Sequence, residues 1–125
     1  MPSEKRAYKA LKRLHPKAHF QRIETWTGEG IFDLNGCCDG QEVWVECKQT
    51  DRPKKKETPI KAKVRKGQIP WEYERRKAGG KTFVALMVDQ ELYLLSGDKI
   101  KDLVAGIEQK ILESIRLSPL NLFKH

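Results

Sequence analysis

The sequence predicts an α/β (α+β) domain in which a mixed sheet of about five strands is flanked by helices. Three observations predict it. Strand-like apolar runs and helix-period segments follow one another in the order α-β-β-β-α-β-β-α. Two connections, Gly36 to Gly40 and Asp89-Gln90, are short and turn-rich, as hairpins require. The chain has 125 residues and five apolar segments, which suits one domain with one core.

The elements follow in order. Ser3 can cap a first helix running to about Leu14, with Ala7, Leu11 and Leu14 as its apolar stripe. Glu4 heads that stripe rather than the solvent face, and His15-Pro16 ends the helix. Phe20 to Trp26 reads as the first strand, Thr27-Gly28-Glu29-Gly30 as a turn, and Ile31 to Asn35 as the second strand. Glu42 to Lys48 is the third. Residues 49–60 hold two prolines and little apolar content, which predicts a mobile basic loop. Residues 64–78 read as a helix with Pro70 in its first turns, stopped by Gly79-Gly80. Lys81 to Val88 and Glu91 to Leu95 are the fourth and fifth strands. Asp98 to about Leu117 is mostly helical, broken at Gly106. Ile100, Leu103, Val104, Ile107, Ile111, Leu112 and Ile115 form its apolar face, which caps the sheet or supplies part of a subunit interface.

Net charge is +8, unevenly spread. Residues 1–22 carry seven basic residues and one acid; residues 23–51 carry seven acids and Lys48; residues 52–66 carry eight basic residues and Glu57. Basic flanks point to a polyanion, and acids between them suit a cation held where phosphate approaches. No run of about 18 apolar residues marks a membrane span. The amino-terminal stretch lacks a secretory apolar region, and three cysteines without metal-ligand spacing suit a reduced cytosolic protein. His15 and His19, separated by Pro16, read as loop residues, and Cys37 and Cys38 as turn residues.

The stretch "IFDLNGCCDGQEVWVECKQ" then stands out. Residues i and i+2 of a strand share a face, so Trp44, Glu46 and Lys48 point one way and Val43, Val45 and Cys47 the other. Asp33 lies across the hairpin within reach of Glu46. Two hard carboxylates suit Mg²⁺ or Mn²⁺, and a lysine beside them can orient a water or stabilise a phosphorane-like transition state. Metal plus lysine suffices for phosphodiester hydrolysis. An exposed ion-paired hairpin face is the rival explanation, but surface pairs contribute only about 0–1 kcal/mol and do not explain three charges converging beside Trp44.

The string "RIETWTGEGIFDL…EVWVECKQ…KVRKGQIPWEYERRKAGGKTFVALMV" resembles the PD-(D/E)XK nuclease superfamily, most closely its small stand-alone VRR-NUC-type members, common in phages, and archaeal-type Holliday-junction resolvases. The resemblance spans roughly residues 4–95 and implies a restriction-endonuclease-like αβββαβ core with Mg²⁺-dependent activity. It implies that Glu4 is the helix acid, that Asp33, Glu46 and Lys48 are the D…ExK residues, and that Gln68 assists them. It also turns the Cys47 carbonyl toward the metal. Phe32 stands where the family has a proline, and Val64-Arg65-Lys66-Gly67-Gln68 lacks the family's helix cap. Glu24 and Glu29 are alternative third acids, and Glu4 could instead simply complement the helix dipole.

The sequence reading is therefore a metal-dependent DNA endonuclease, with Mg²⁺ replaceable by Mn²⁺. Arg52, Lys54, Lys55, Lys56, Lys61, Lys63, Arg65 and Lys66, with Arg22, are the expected phosphate contacts, and the basic first helix grips the backbone on the other side. Trp71 and Tyr73 read as packing residues. Branched DNA and a C2 homodimer are expected, since two symmetric cuts need two sites. A sequence-preferring homing, restriction or nicking enzyme and a non-catalytic DNA-binding module of the same fold are the alternatives.

Overall fold

The computed structural model describes residues 4–24 and 30–124, without the side chain of Glu4. The elements are α1 (Glu4–Leu14), β1 (His19–Arg22), β2 (Leu34–Cys38), β3 (Gln41–Thr50), α2 (Gln68–Lys77), β4 (Thr82–Val88), β5 (Glu91–Ser96), α3 (Asp102–Ala105) and α4 (Gln109–Ile115). One sheet takes all five strands in chain order. β3 and β4 are parallel and the other pairs antiparallel, so the sheet is mixed, as expected. The parallel pair needs a long crossover, and α2 lies within it. Among the described residues, no helix is long and apolar enough to cross a membrane.

Each face of the sheet carries its own core. Ala7 and Leu11 of α1 pack on Leu34, Val43, Val45, Cys47 and Leu122. On the other face Phe32, Ile60, Leu86, Tyr93, Ile100, Leu103 and Leu112 pack together, with Trp44, Trp71 and Ile115 against them. The alternation along β3 is the period-two pattern of the sequence. The carboxy-terminal segment caps the sheet through Leu103, Ile107 and Leu112, while Val104 and Ile111 stay exposed and fall outside the apolar face assigned to them.

Several boundaries move. β2 begins at Leu34 rather than Ile31 and runs through Gly36, Cys37 and Cys38, leaving a two-residue turn, Asp39-Gly40. Both turn residues have positive φ, 52° and 78°, and an Asp-Gly pair takes that conformation readily. Cys37 and Cys38 are thus strand residues. β1 ends at Arg22; the expected continuation to Trp26, the turn at residues 27–29 and the Ser3 cap lie wholly or partly outside the described residues. α2 starts at Gln68 rather than residue 64, because Gly67 is left-handed (φ 94°) and breaks the helical path before it. Pro70 then sits in the first turn, where a missing N–H costs nothing. Gly106 (φ 109°) divides the carboxy-terminal helix, as expected.

Residues 49–60 are not the mobile loop their composition suggested. Ile60 is fully buried and exchanges backbone hydrogen bonds with Ile107, both at 2.8 Å. A single isoleucine among polar neighbours carried too weak a periodic signal to show this beforehand.

Candidate functional site

β2 stops where the chain bends at Asp33, and two reciprocal contacts replace the missing ladder. The Asp33 backbone N–H donates to Glu46 Oε1 (3.0 Å), and the Cys47 N–H donates to Asp33 Oδ1 (3.1 Å). The Asp33 carboxylate therefore lies against β3 in place of a strand carbonyl. Because a strand residue's N–H and C=O leave on the same side, the Cys47 carbonyl also faces this end of β2.

Glu46 and Lys48 share a face of β3, and Gln68 closes over them from the first residue of α2. Gln68 Nε2 donates to Glu46 Oε2 (2.6 Å), and Lys48 Nζ donates to Gln68 Oε1 (2.9 Å) and lies 3.3 Å from Glu46 Oε2. The Arg65 backbone N–H also donates to Gln68 Oε1, at 3.0 Å. Gln68 is fully buried, Glu46 is 2% exposed and Lys48 7% exposed. Buried charges survive only when paired and hydrogen-bonded, and here each is. Nothing about this arrangement matches an exposed ion-paired face. Pairing one helical glutamine with both charged residues also fixes the direction of its amide.

The electrostatics are unbalanced at Asp33. Burial, then repulsion from Glu46, raises its pKa to about 7, against smaller lowering by the Cys47 N–H, Arg22 and Lys48. The Cys47 thiol is pushed well above its usual range by burial and the two acids. Two carboxylates that repel each other beside solvent fit a divalent cation, which would relieve that repulsion. Among the described residues no three His, Cys, Asp or Glu side chains form a metal-holding group; the two acids brought together are Asp33 and Glu46. Whether Glu4 or Glu29 joins them lies outside the described residues; Glu24 is exposed just after β1.

The basic residues divide into two sets. Lys54, Lys55, Lys56, Lys61, Lys63, Arg65 and Lys66 are exposed, and the Arg65 guanidinium lies 3.7 Å from Glu46 Oε2. Arg22 sits over the Tyr8 ring, 5.7 Å from its centroid, and its charge acts on Asp33. Arg52 is committed within the protein, donating to Gln109, Glu91 and Tyr93. Its expected role as a phosphate contact gives way to an internal one, because β5 and α4 surround it with acceptors. Trp71 packs on Phe32 and Trp44, as expected, whereas Tyr73 is about half exposed. His15 bonds the Pro119 carbonyl at 2.8 Å.

Three residues that position the site escaped the sequence reading. Gly30 (φ 79°) lies so close to α2 that a Cβ there would fall 2.1 Å from the Gly67 carbonyl carbon. Gly67 itself gives α2 its starting angle. Glu72 is 2% exposed and accepts from Thr82 Oγ1 (2.7 Å) and Arg76 Nε (2.8 Å), tying α2 to β4 one turn below Gln68. The Glu72 position was readable, since i and i+4 share a helix face. The glycines were not, since nothing local says what packs against them.

No family model and no curated protein matches the chain. Among solved structures, it is similar to Hjc, a Holliday junction resolvase from the archaeal hyperthermophile Archaeoglobus fulgidus, with a TM-score of 0.58, 14% identity, and coverage of 92% of this chain and 97% of that one. At that identity the likeness establishes the architecture: a mixed five-stranded sheet with flanking helices, of the resolvase and restriction-endonuclease-like kind.

Proposed function

We propose that the protein is a divalent-metal-dependent DNA endonuclease acting on branched DNA, such as a four-way junction. The observation that carries this reading is the Gln68 bridge between Glu46 and Lys48, with Asp33 locked against the same strand. A fold shared with a Holliday junction resolvase supports it, and so do the exposed basic residues of the crossover, where Arg65 lies 3.7 Å from Glu46 Oε2.

Asp33 and Glu46 would hold Mg²⁺, or Mn²⁺ in its place, with the Cys47 carbonyl and a third acid such as Glu4 as further oxygen donors. The bound cation supplies Lewis-acid stabilisation of the phosphate and a more acidic water. Lys48, anchored by Glu46 and Gln68, presents a fixed positive donor where charge builds on the reacting phosphate and where the attacking water is oriented. Gln68 holds the Lys48 ammonium and the Glu46 carboxylate in one geometry, so neither needs to reorganise during reaction. Arg22, Lys61, Lys63, Arg65 and Lys66 contact backbone phosphates, which position DNA without reading sequence. Recognition by shape follows, and two symmetric cuts follow from a C2 homodimer.

Cleavage of a labelled four-way junction, a flap and a linear duplex, in Mg²⁺ and in EDTA, tests the reading with wild type, Lys48→Ala and Asp33→Asn. The expected outcome is Mg²⁺-dependent cutting that prefers the junction and falls about 10²–10³-fold in Lys48→Ala. Asp33→Asn, which removes a repulsive charge, should stay folded and bind the junction without cutting it. Tight junction binding with no cutting by wild type in either metal would sink the catalytic reading and favour a binding module.

A further inference from the structure

The connection from β3 to α2 joins two site residues, Lys48 and Gln68, and residues 52–66 within it carry eight basic residues against Glu57. A charge run of that density would ordinarily be a solvated loop. Here the carboxy-terminal segment ties it down at successive points. Gln109, the first residue of α4, donates through Nε2 to the Lys55 carbonyl (3.0 Å) and the Thr58 carbonyl (2.9 Å). Its Oε1 accepts from Arg52 Nη1 (3.4 Å), and Arg52 Nη2 reaches the Tyr93 hydroxyl (2.9 Å). Ile60 then pairs with Ile107, and the Ala62 N–H donates to the Leu103 carbonyl (3.2 Å). The side chains of Lys54, Lys55 and Lys56 are left exposed.

One glutamine amide thus contacts three groups of a single loop, two of them backbone carbonyls flanking Lys56-Glu57. Neither carbonyl belongs to the sheet, and α4 gains nothing from them as a helix. Their geometry serves the loop. An ordered phosphate-binding edge avoids the entropy of ordering on contact, and ordering even one residue costs about a factor of ten in affinity.

We propose that α4, through Gln109, is a brace that holds the basic connection as a preformed edge for the phosphates of a DNA arm next to the Asp33–Glu46–Lys48–Gln68 site. The inference rests on the DNA endonuclease reading and gives the segment beyond the αβββαβ core a task in binding, with Gln109 as a positioning residue.

The test uses the full chain, wild type, Gln109→Ala and Gln109→Met; the methionine keeps the length and loses the donor without adding a charge. Thermal unfolding checks that the variants fold. Trypsin cleavage after Lys54, Lys55 and Lys56, without DNA, reports the brace; equilibrium binding of a labelled four-way junction in EDTA over a salt series reports the edge. Both variants should be cut faster and should bind about tenfold more weakly, with an unchanged slope of log K against log salt, because the same phosphates are neutralised from a looser loop. The Lys54/Lys55/Lys56→Ala triple variant should instead flatten the slope. Proteolysis at the wild-type rate would overturn the brace. Faster proteolysis with wild-type affinity would overturn the edge while leaving the nuclease reading intact. Failure of the wild type to bind the junction would retire that reading and the edge together.

Discussion

At the scale of single residues, the site is a balance of buried charges that closes everywhere except at Asp33. Glu46 has Gln68, Lys48, Arg65 and the Asp33 N–H around it. Asp33 has burial and Glu46 against it, and its pKa rises to about 7. The linkage follows from that direction. A carboxyl whose folded pKa lies above its unfolded value contributes full stability below the unfolded pKa near 3.8, and that contribution is lost as pH rises toward 7. Thermal unfolding in EDTA should therefore show wild type losing stability relative to Asp33→Asn between about pH 4 and pH 7. Mg²⁺ should raise the wild-type melting temperature more at pH 8, where protons no longer compete for Asp33. Parallel pH curves for the two proteins would sink this account of the site.

At the scale of elements, the site depends on where α2 begins. Gly67 sets its entry angle, Gly30 packs onto that entry, and Glu72 fastens the helix to β4 through Thr82. Gly30→Ala meets two penalties: a positive φ that alanine disfavours by about 1–3 kcal/mol, and a Cβ inside the Gly67 backbone. The helix start should shift, carrying Gln68 away from Glu46. The expected result is a lower melting temperature and single-turnover cleavage reduced more than junction binding. Wild-type values for both would show that the approach of Gly30 to Gly67 does not control the site. The crossover before α2 hangs on Ile60, fully buried opposite Ile107. Ile60→Ala should cost about 2–5 kcal/mol in urea unfolding, the range for a buried aliphatic cavity, and a loss under 1 kcal/mol would mean the crossover is not part of the core.

At the scale of the whole molecule, the sheet separates two tasks. The α1 face is an apolar core under a basic helix, and the α2 face carries the site at the end of β3, beside the basic crossover. With a net charge of +8, the proposed DNA binding should weaken steeply with salt. The proposed homodimer belongs to this scale too. Sedimentation with bound junction should give two chains per junction, and paired cuts should appear within one binding event. One chain per junction, with the two strands nicked independently, would retire the dimer.

The sequence by itself determined the element order, the alternation along β3 and the convergence of Asp33, Glu46 and Lys48, because each is a local pattern: period two, period 3.6, or charge where apolar residues are expected. Gln68 was readable only through a family resemblance, since a lone helical glutamine carries no signal of burial. The tertiary structure alone decided that Gln68 links Glu46 to Lys48, that Arg52 turns inward to Tyr93 and Gln109, and that the basic crossover is tied to α4. Those facts depend on residues 20 to 57 positions apart meeting in the fold, and no local propensity encodes which distant partner a polar side chain will find.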